Sequence, residues 1–252
     1  MKRAKRQDLL KYLPSLITCI AMLAGFSSVL TAIGGMVHGD VELYRWSSLL
    51  IILALILDGL DGNLARLLNA RSRLGAELDT FVDLTAFGIA PAVLVHAVSL
   101  QNSGMLARMI LPCFIVLLGA LRLSRFKATD PGRGAGGYTG LPITANASWV
   151  SFFVQFGIIC PSPGMSSKAE LIFLAGVFLL CLLQVSNVRY PAISKKALYF
   201  VPTFILAILI WFFSFYLPDT ARMLSFIMLL SVVGYSLLLP LLNLFTRSRF
   251  QH

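Results

Sequence analysis

Eight apolar segments, near residues 14–37, 47–68, 77–99, 105–122, 142–161, 168–187, 197–217 and 222–245, take up most of this chain. A helix of about 17–25 such residues crosses the hydrocarbon core of a bilayer. In lipid every backbone amide must be paired, which leaves helices as the natural state of runs like these. The composition agrees, since 58% of the 252 residues are hydrophobic and 13% charged, about half the charged share of an ordinary soluble domain. One core of that length cannot hide so much apolar surface. The expected fold is all-α: a polytopic membrane bundle of about eight transmembrane helices, forming one domain over residues 1–252. The fifth segment is the weakest, because Pro142, Asn146 and Gln155 interrupt it.

A net charge of +10 suits a nucleic-acid partner or a membrane, and the placement of the charges decides for the membrane. Seventeen of the 21 Lys and Arg fall in the basic N-terminal segment 1–13, in alternate connections and in the tail. Only Arg45, Arg108, Lys168 and Arg222 fall on the opposite face. Cytoplasmic loops carry the excess of positive charge, so both termini are expected in the cytoplasm. The first segment runs past twenty residues and further spans follow, which reads as an uncleaved first helix rather than a signal peptide. Cys19, Cys113, Cys160 and Cys181 share no ligand spacing and read as packing residues.

The acidic residues are where chemistry enters. Eleven exist, and five of them, Asp58, Asp61, Glu77, Asp79 and Asp83, crowd into 26 positions. An aspartate at a helix centre costs about 2.5–3.5 kcal/mol on insertion scales, so four unpaired ones approach roughly 10 kcal/mol. Asp58 and Asp61 are spaced i,i+3, and Asp79 and Asp83 i,i+4, so each pair takes one helix face. A short basic connection joins the two helices and puts both pairs at similar depth on the cytoplasmic side. Four carboxylates gathered there repel one another unless cations bind between them. Clustered carboxylate oxygens favour hard ions such as Mg²⁺ or Mn²⁺. Intramembrane aspartates also build proton and ion pathways, and the residues alone leave both readings open.

The spacing goes further. Asp58-x-x-Asp61-Gly62-x-x-Ala65-Arg66, eight residues, then Gly75-x-x-x-Asp79-x-x-x-Asp83 resembles the signature of the CDP-alcohol phosphotransferase family at all eight defining positions. Within that family, the stretch from Glu77 through Phe87-Gly88-Ile89-Ala90-Pro91 is similar to the membrane-integral phosphatidylserine synthase branch. Leu121-Arg122-Leu123-Ser124-Arg125-Phe126, Gly140-Leu141-Pro142-Ile143 and Ser186-Asn187-Val188-Arg189-Tyr190-Pro191 add to the likeness, which covers about residues 12–195. Ser15 departs from it, standing where the family usually has Asn after Pro14.

The resemblance implies a multi-pass enzyme of the cytoplasmic (inner) membrane, a homodimer, with its active site facing the cytoplasm. It implies transfer of a phosphatidyl group from CDP-diacylglycerol to L-serine, releasing CMP, with two divalent ions as cofactor. Sister enzymes use glycerol 3-phosphate, an inositol phosphate or choline instead. Carried over residue by residue, Asp58, Asp61, Asp79 and Asp83 are metal ligands, and Asp83 is also the general base. Asp58, Gly62, Ala65, Arg66 and Gly75 would hold the CDP moiety. Serine needs an anion for its ammonium, for which Glu77 is the candidate. It also needs a cation for its carboxylate, for which Arg122, Arg125, Lys127 and Arg189 are candidates, as they are for the phosphates. The glycine-rich segment 132–140 reads either as a lid or phosphate contact, or as a plain connection. No histidine nucleophile is suggested, because His38 and His96 fall at outer ends and His252 in the tail.

Overall fold

In the computed structural model the apolar segments are helices, described over residues 12–68, 70, 72–100, 104–129, 138–157, 167–190 and 197–238. In chain order the rods are α1 (Leu13–His38), α2 (Val41–Leu67), α3 (Arg73–Ser99) and α4 (Met105–Thr129). They continue as α5 (Ile143–Gln155), α6 (Ser167–Val185), α7 (Ala197–Tyr216) and α8 (Pro218–Leu238). Among the described residues six of them, α1, α2, α3, α4, α6 and α8, are long and apolar enough to cross a membrane.

Local chemistry sets the ends. Pro14 opens α1, where its missing N–H is no loss. Gly39, at φ 65°, closes it with its N–H bonded back to the Gly35 carbonyl. Asp40 then caps α2 by accepting from the Glu42 N–H, and Ser72 caps α3 by accepting from the Gly75 N–H. Inside α3 the ladder widens to a π-turn over Thr85–Ile89. Pro91 follows at once; it has no N–H to give the Phe87 carbonyl, and its ring would clash there.

The fifth segment departs from expectation. A span was expected over 142–161, but α5 has 13 residues, about 20 Å at 1.5 Å per residue against roughly 30 Å of hydrocarbon. All of its side chains but Thr144 and Ser148 are buried. It is an interior helix, buried on nearly every side by protein. The expected eighth span, 222–245, begins earlier, at Pro218; residues 239–252 lie outside the described residues, as do Cys160 and positions 132–137 of the glycine-rich segment.

Small residues let the rods approach. Ala21, Ala24, Gly25, Ser28, Ala32 and Gly35 form the buried face of α1. A Cβ on Gly25 would lie 2.6 Å from that of Ala86, and one on Gly35 2.5 Å from the Tyr44 ring. Gly119 meets Ile143 and Gly176 meets Trp149 in the same manner, which seats α5 between α4 and α6. Without a hydrophobic drive between helices in lipid, such contact and interhelical hydrogen bonds hold the bundle. Ser28 and Ser47 share one at 2.8 Å, and Gln155 donates to Ser48 at 2.7 Å.

A two-stranded antiparallel pair, unforeseen in the sequence, lies beside the bundle. β1 (Tyr138–Thr139) pairs with β2 (Arg189–Tyr190), Tyr138 opposite Tyr190. The buried Tyr190 hydroxyl donates to the Ser236 carbonyl of α8 at 3.1 Å. Burial pushes that phenol up to about 12, so it stays a neutral donor at any physiological pH.

Candidate active site

The carboxylates face one another across a cleft whose floor is α1. α1 packs along both α2 and α3, while the first half of α3 leans on α1 and α4 rather than on α2. One oxygen each from Asp58, Asp61 and Asp79 lie within 4.8 Å of one another. Asp83, one turn beyond Asp79, interacts electrostatically with Asp58, Asp61 and Asp79. Asp61 is buried; the other three are half-buried at the cleft wall.

Thr18 of α1 completes this wall and was not singled out from the sequence. Its Oγ1, 5% exposed, donates to Asp61 Oδ2 and lies 2.9 Å from the Pro14 carbonyl of its own helix. No local pattern links residues 43 positions apart, and Thr18 is one of several hydroxyls on α1, so the sequence does not set it apart.

The residues expected to hold CDP lie on the same two helices, α2 and α3. At Gly62 a Cβ would find nothing within 4 Å, so this face of α2 stands open beside Asp61. Ala65 is half-buried one turn on. Arg66 is exposed, and its Nη2 donates to Asn63 Oδ1 at 2.7 Å; Asn63 in turn donates to the Gly59 carbonyl. A Cβ at Gly75 would lie 3.0 Å from Ser72 Oγ and 3.4 Å from Ser15 Oγ, so Ser15 faces the start of α3.

The other candidates separate into three places. Arg122 is buried at 6% exposure, lies over the Phe126 ring at 5.2 Å and acts electrostatically on Asp83. Glu77 and Lys127 are both exposed and form an ion pair between α3 and α4. Arg125 turns away from the carboxylates, donating to the carbonyls of Val185 and Ser186 at 2.8 Å, Thr139 at 3.1 Å and Gln184 at 3.2 Å. It therefore ties the end of α6 to β1. Arg189 is exposed on β2.

Hard divalent cations bind oxygens at about 2.0–2.6 Å, so ligand atoms around one ion spread over at most about 5 Å. The oxygens of Asp58, Asp61 and Asp79 fit that limit, and their hard anionic character suits Mg²⁺ or Mn²⁺.

Comparison with known proteins agrees with this geometry. A family model described as CDP-alcohol phosphatidyltransferase matches residues 11–181. The CDP-diacylglycerol--serine O-phosphatidyltransferase of Helicobacter pylori is 32% identical over 182 residues, 72% of this chain and 73% of that protein. Proteins of the same name from Mycobacterium leprae (36% over 166 residues, 62% of this chain and 52% of that one) and Methanocaldococcus jannaschii (34% over 152 residues, 60% and 67%) are also similar. The matched stretch takes in all four carboxylates, Thr18 and Arg122, and on that footing the chain belongs to the CDP-alcohol phosphatidyltransferase family.

Proposed function

We propose that this protein transfers the phosphatidyl group of CDP-diacylglycerol to the side-chain hydroxyl of L-serine. The serine Oγ–phosphorus bond forms, the bond from phosphorus to the CMP oxygen breaks, and CMP leaves. The observation that carries the reading is the convergence of Asp58, Asp61 and Asp79 oxygens within 4.8 Å, with Asp83 adjoining and the Gly62 face open. The names of the relatives, and the likeness of the Phe87–Pro91 stretch to serine-accepting enzymes, support serine as acceptor.

Each residue has a task in that reading. Asp58, Asp61 and Asp79, with Asp83 beside them, would hold the divalent cofactor, Mg²⁺ or Mn²⁺. Bound there, the cofactor neutralises the pyrophosphate charge and stabilises the departing oxygen. Asp83 takes the proton from the serine hydroxyl through a carboxylate oxygen. Arg122 sets a positive charge beside Asp83 and receives the serine carboxylate. Gly62, Ala65 and Gly75 leave room for the nucleotide against α2 and α3, and Arg66 at the exposed rim meets its phosphates. Arg125, its guanidinium bonded to four carbonyls, positions α6.

The one-sided Lys and Arg distribution supports a cytoplasmic-membrane protein with both termini and the cleft on the cytoplasmic side. The family likeness supports a homodimer. The test gives purified protein CDP-diacylglycerol and Mn²⁺ or Mg²⁺ with serine, glycerol 3-phosphate, inositol phosphate and choline in separate reactions, and follows CMP release. Serine should be fastest, and chelation should stop it. Faster release with another acceptor overturns the choice of serine; turnover unchanged by chelators overturns the metal reading.

A further inference from the structure

Three helices each turn an i,i+3 pair toward one corner at the same end of the bundle: Gly119 and Arg122 of α4, Ile143 and Asn146 of α5, Cys181 and Gln184 of α6. Contacts tie them together. A Cβ on Gly119 would lie 2.8 Å from Ile143 Cδ1 and 3.9 Å from Gln184 Oε1. The same Ile143 Cδ1 would lie 3.7 Å from a Cβ on Gly88, in the π-turn that begins two residues after Asp83. Asn146 Nδ2 donates to Cys181 Sγ at 3.1 Å.

Asn146 is 0% exposed and Gln184 1%. Neither Asn146 Oδ1 nor Gln184 Oε1 receives a hydrogen bond from any described residue. A buried amide oxygen without a donor is unfavourable by about 1–3 kcal/mol, and a ligand that brings donors relieves it. Arg122, one turn along α4 from Gly119, supplies positive charge at the edge of that corner and acts electrostatically on Asp83.

We infer that Asn146 and Gln184 are specificity-determining residues that bind the ammonium group of the acceptor, their amide oxygens accepting its N–H donors while Arg122 takes its carboxylate. This rests on the proposed function and names the residues that select within it. A primary ammonium brings three N–H donors. Choline brings none, and glycerol 3-phosphate presents an anion to two carbonyl dipoles; each would leave the oxygens unpaired, which is the stronger route to discrimination. Glu77, by contrast, is exposed and already paired with Lys127.

Gln184→Met and Asn146→Leu keep the volume close and remove the acceptor. In purified enzyme each should raise the KM for serine about ten- to hundredfold, the range for one lost hydrogen bond to a charged group. The KM for CDP-diacylglycerol should stay put, and that constancy reports an intact bundle. An unchanged serine KM in both variants overturns the inference. Should a variant fail to assemble, the wild-type protein still answers through 3-hydroxypropionate, which is serine without its ammonium. It should compete with serine at least about tenfold more weakly than serine itself binds; competition as good as serine's overturns the inference. Failure of the parent reading looks different: the wild type would then release CMP faster with some other acceptor, before any variant is made.

Discussion

Thr18→Val is the cleanest probe of how α1 serves the cleft. Valine matches threonine in shape, so the 5%-exposed site stays filled. The lost hydroxyl carries a single proton, shared between Asp61 Oδ2 and the Pro14 carbonyl. That carbonyl sits in the first turn of α1 and keeps its helical partner, so the main loss falls on Asp61. A hydrogen bond to a charged group contributes about 1.5–3 kcal/mol. Without it the Asp61 carboxylate gains rotational freedom that metal binding must remove again. Mn²⁺ affinity should therefore fall about ten- to hundredfold, as it does when outer partners of metal ligands are removed elsewhere. Titration calorimetry on detergent-solubilised protein reads this without substrate or turnover. Thr18→Ser keeps the hydroxyl and should restore most of the affinity. Mn²⁺ binding by Thr18→Val equal to wild type would refute the idea that this contact positions Asp61.

Four further outcomes follow from the same geometry. Asp83→Asn should abolish CMP release while membrane insertion, followed by fractionation, is intact; near-normal turnover removes Asp83 from the base role. Gly62→Leu should leave thermal stability close to wild type, because even its Cβ enters open space with nothing within 4 Å, yet raise the KM for CDP-diacylglycerol by filling the mouth. Gly25→Ala should do the reverse: its Cβ would sit 2.6 Å from that of Ala86, and overpacking of that sort lowers stability by about 1–3 kcal/mol in a denaturation midpoint. Arg125→Lys cannot reach four carbonyls with one ammonium, so unfolding should come earlier by about 1–3 kcal/mol; an unchanged midpoint would mean those bonds hold little.

The parts of this protein that the sequence reveals are those written at short range. Hydropathy marks the helices because each rod is one continuous apolar run, and the carboxylate cluster is legible because all its members fall within 26 positions of two adjoining rods. Hydropathy fails at α5 for a physical reason: an apolar side chain reads alike whether lipid or protein covers it. Only the length of the helix, 13 residues once packed, tells the two apart. The same limit hides Thr18, which meets Asp61 across 43 positions, and the Lys127–Glu77 pair, which closes across 50. Asn146 and Gln155 show the point most sharply. In the sequence they weaken a transmembrane segment; in the fold Gln155 pins α5 to α2 through Ser48 and the Arg45 carbonyl, and Asn146 faces Cys181 with an oxygen to spare. Polar groups inside a membrane protein persist where a partner or a ligand satisfies them. Gln155 has found its partners within the chain, whereas the spare oxygens of Asn146 and Gln184, on the two helices packed against α4, mark where a substrate supplies them.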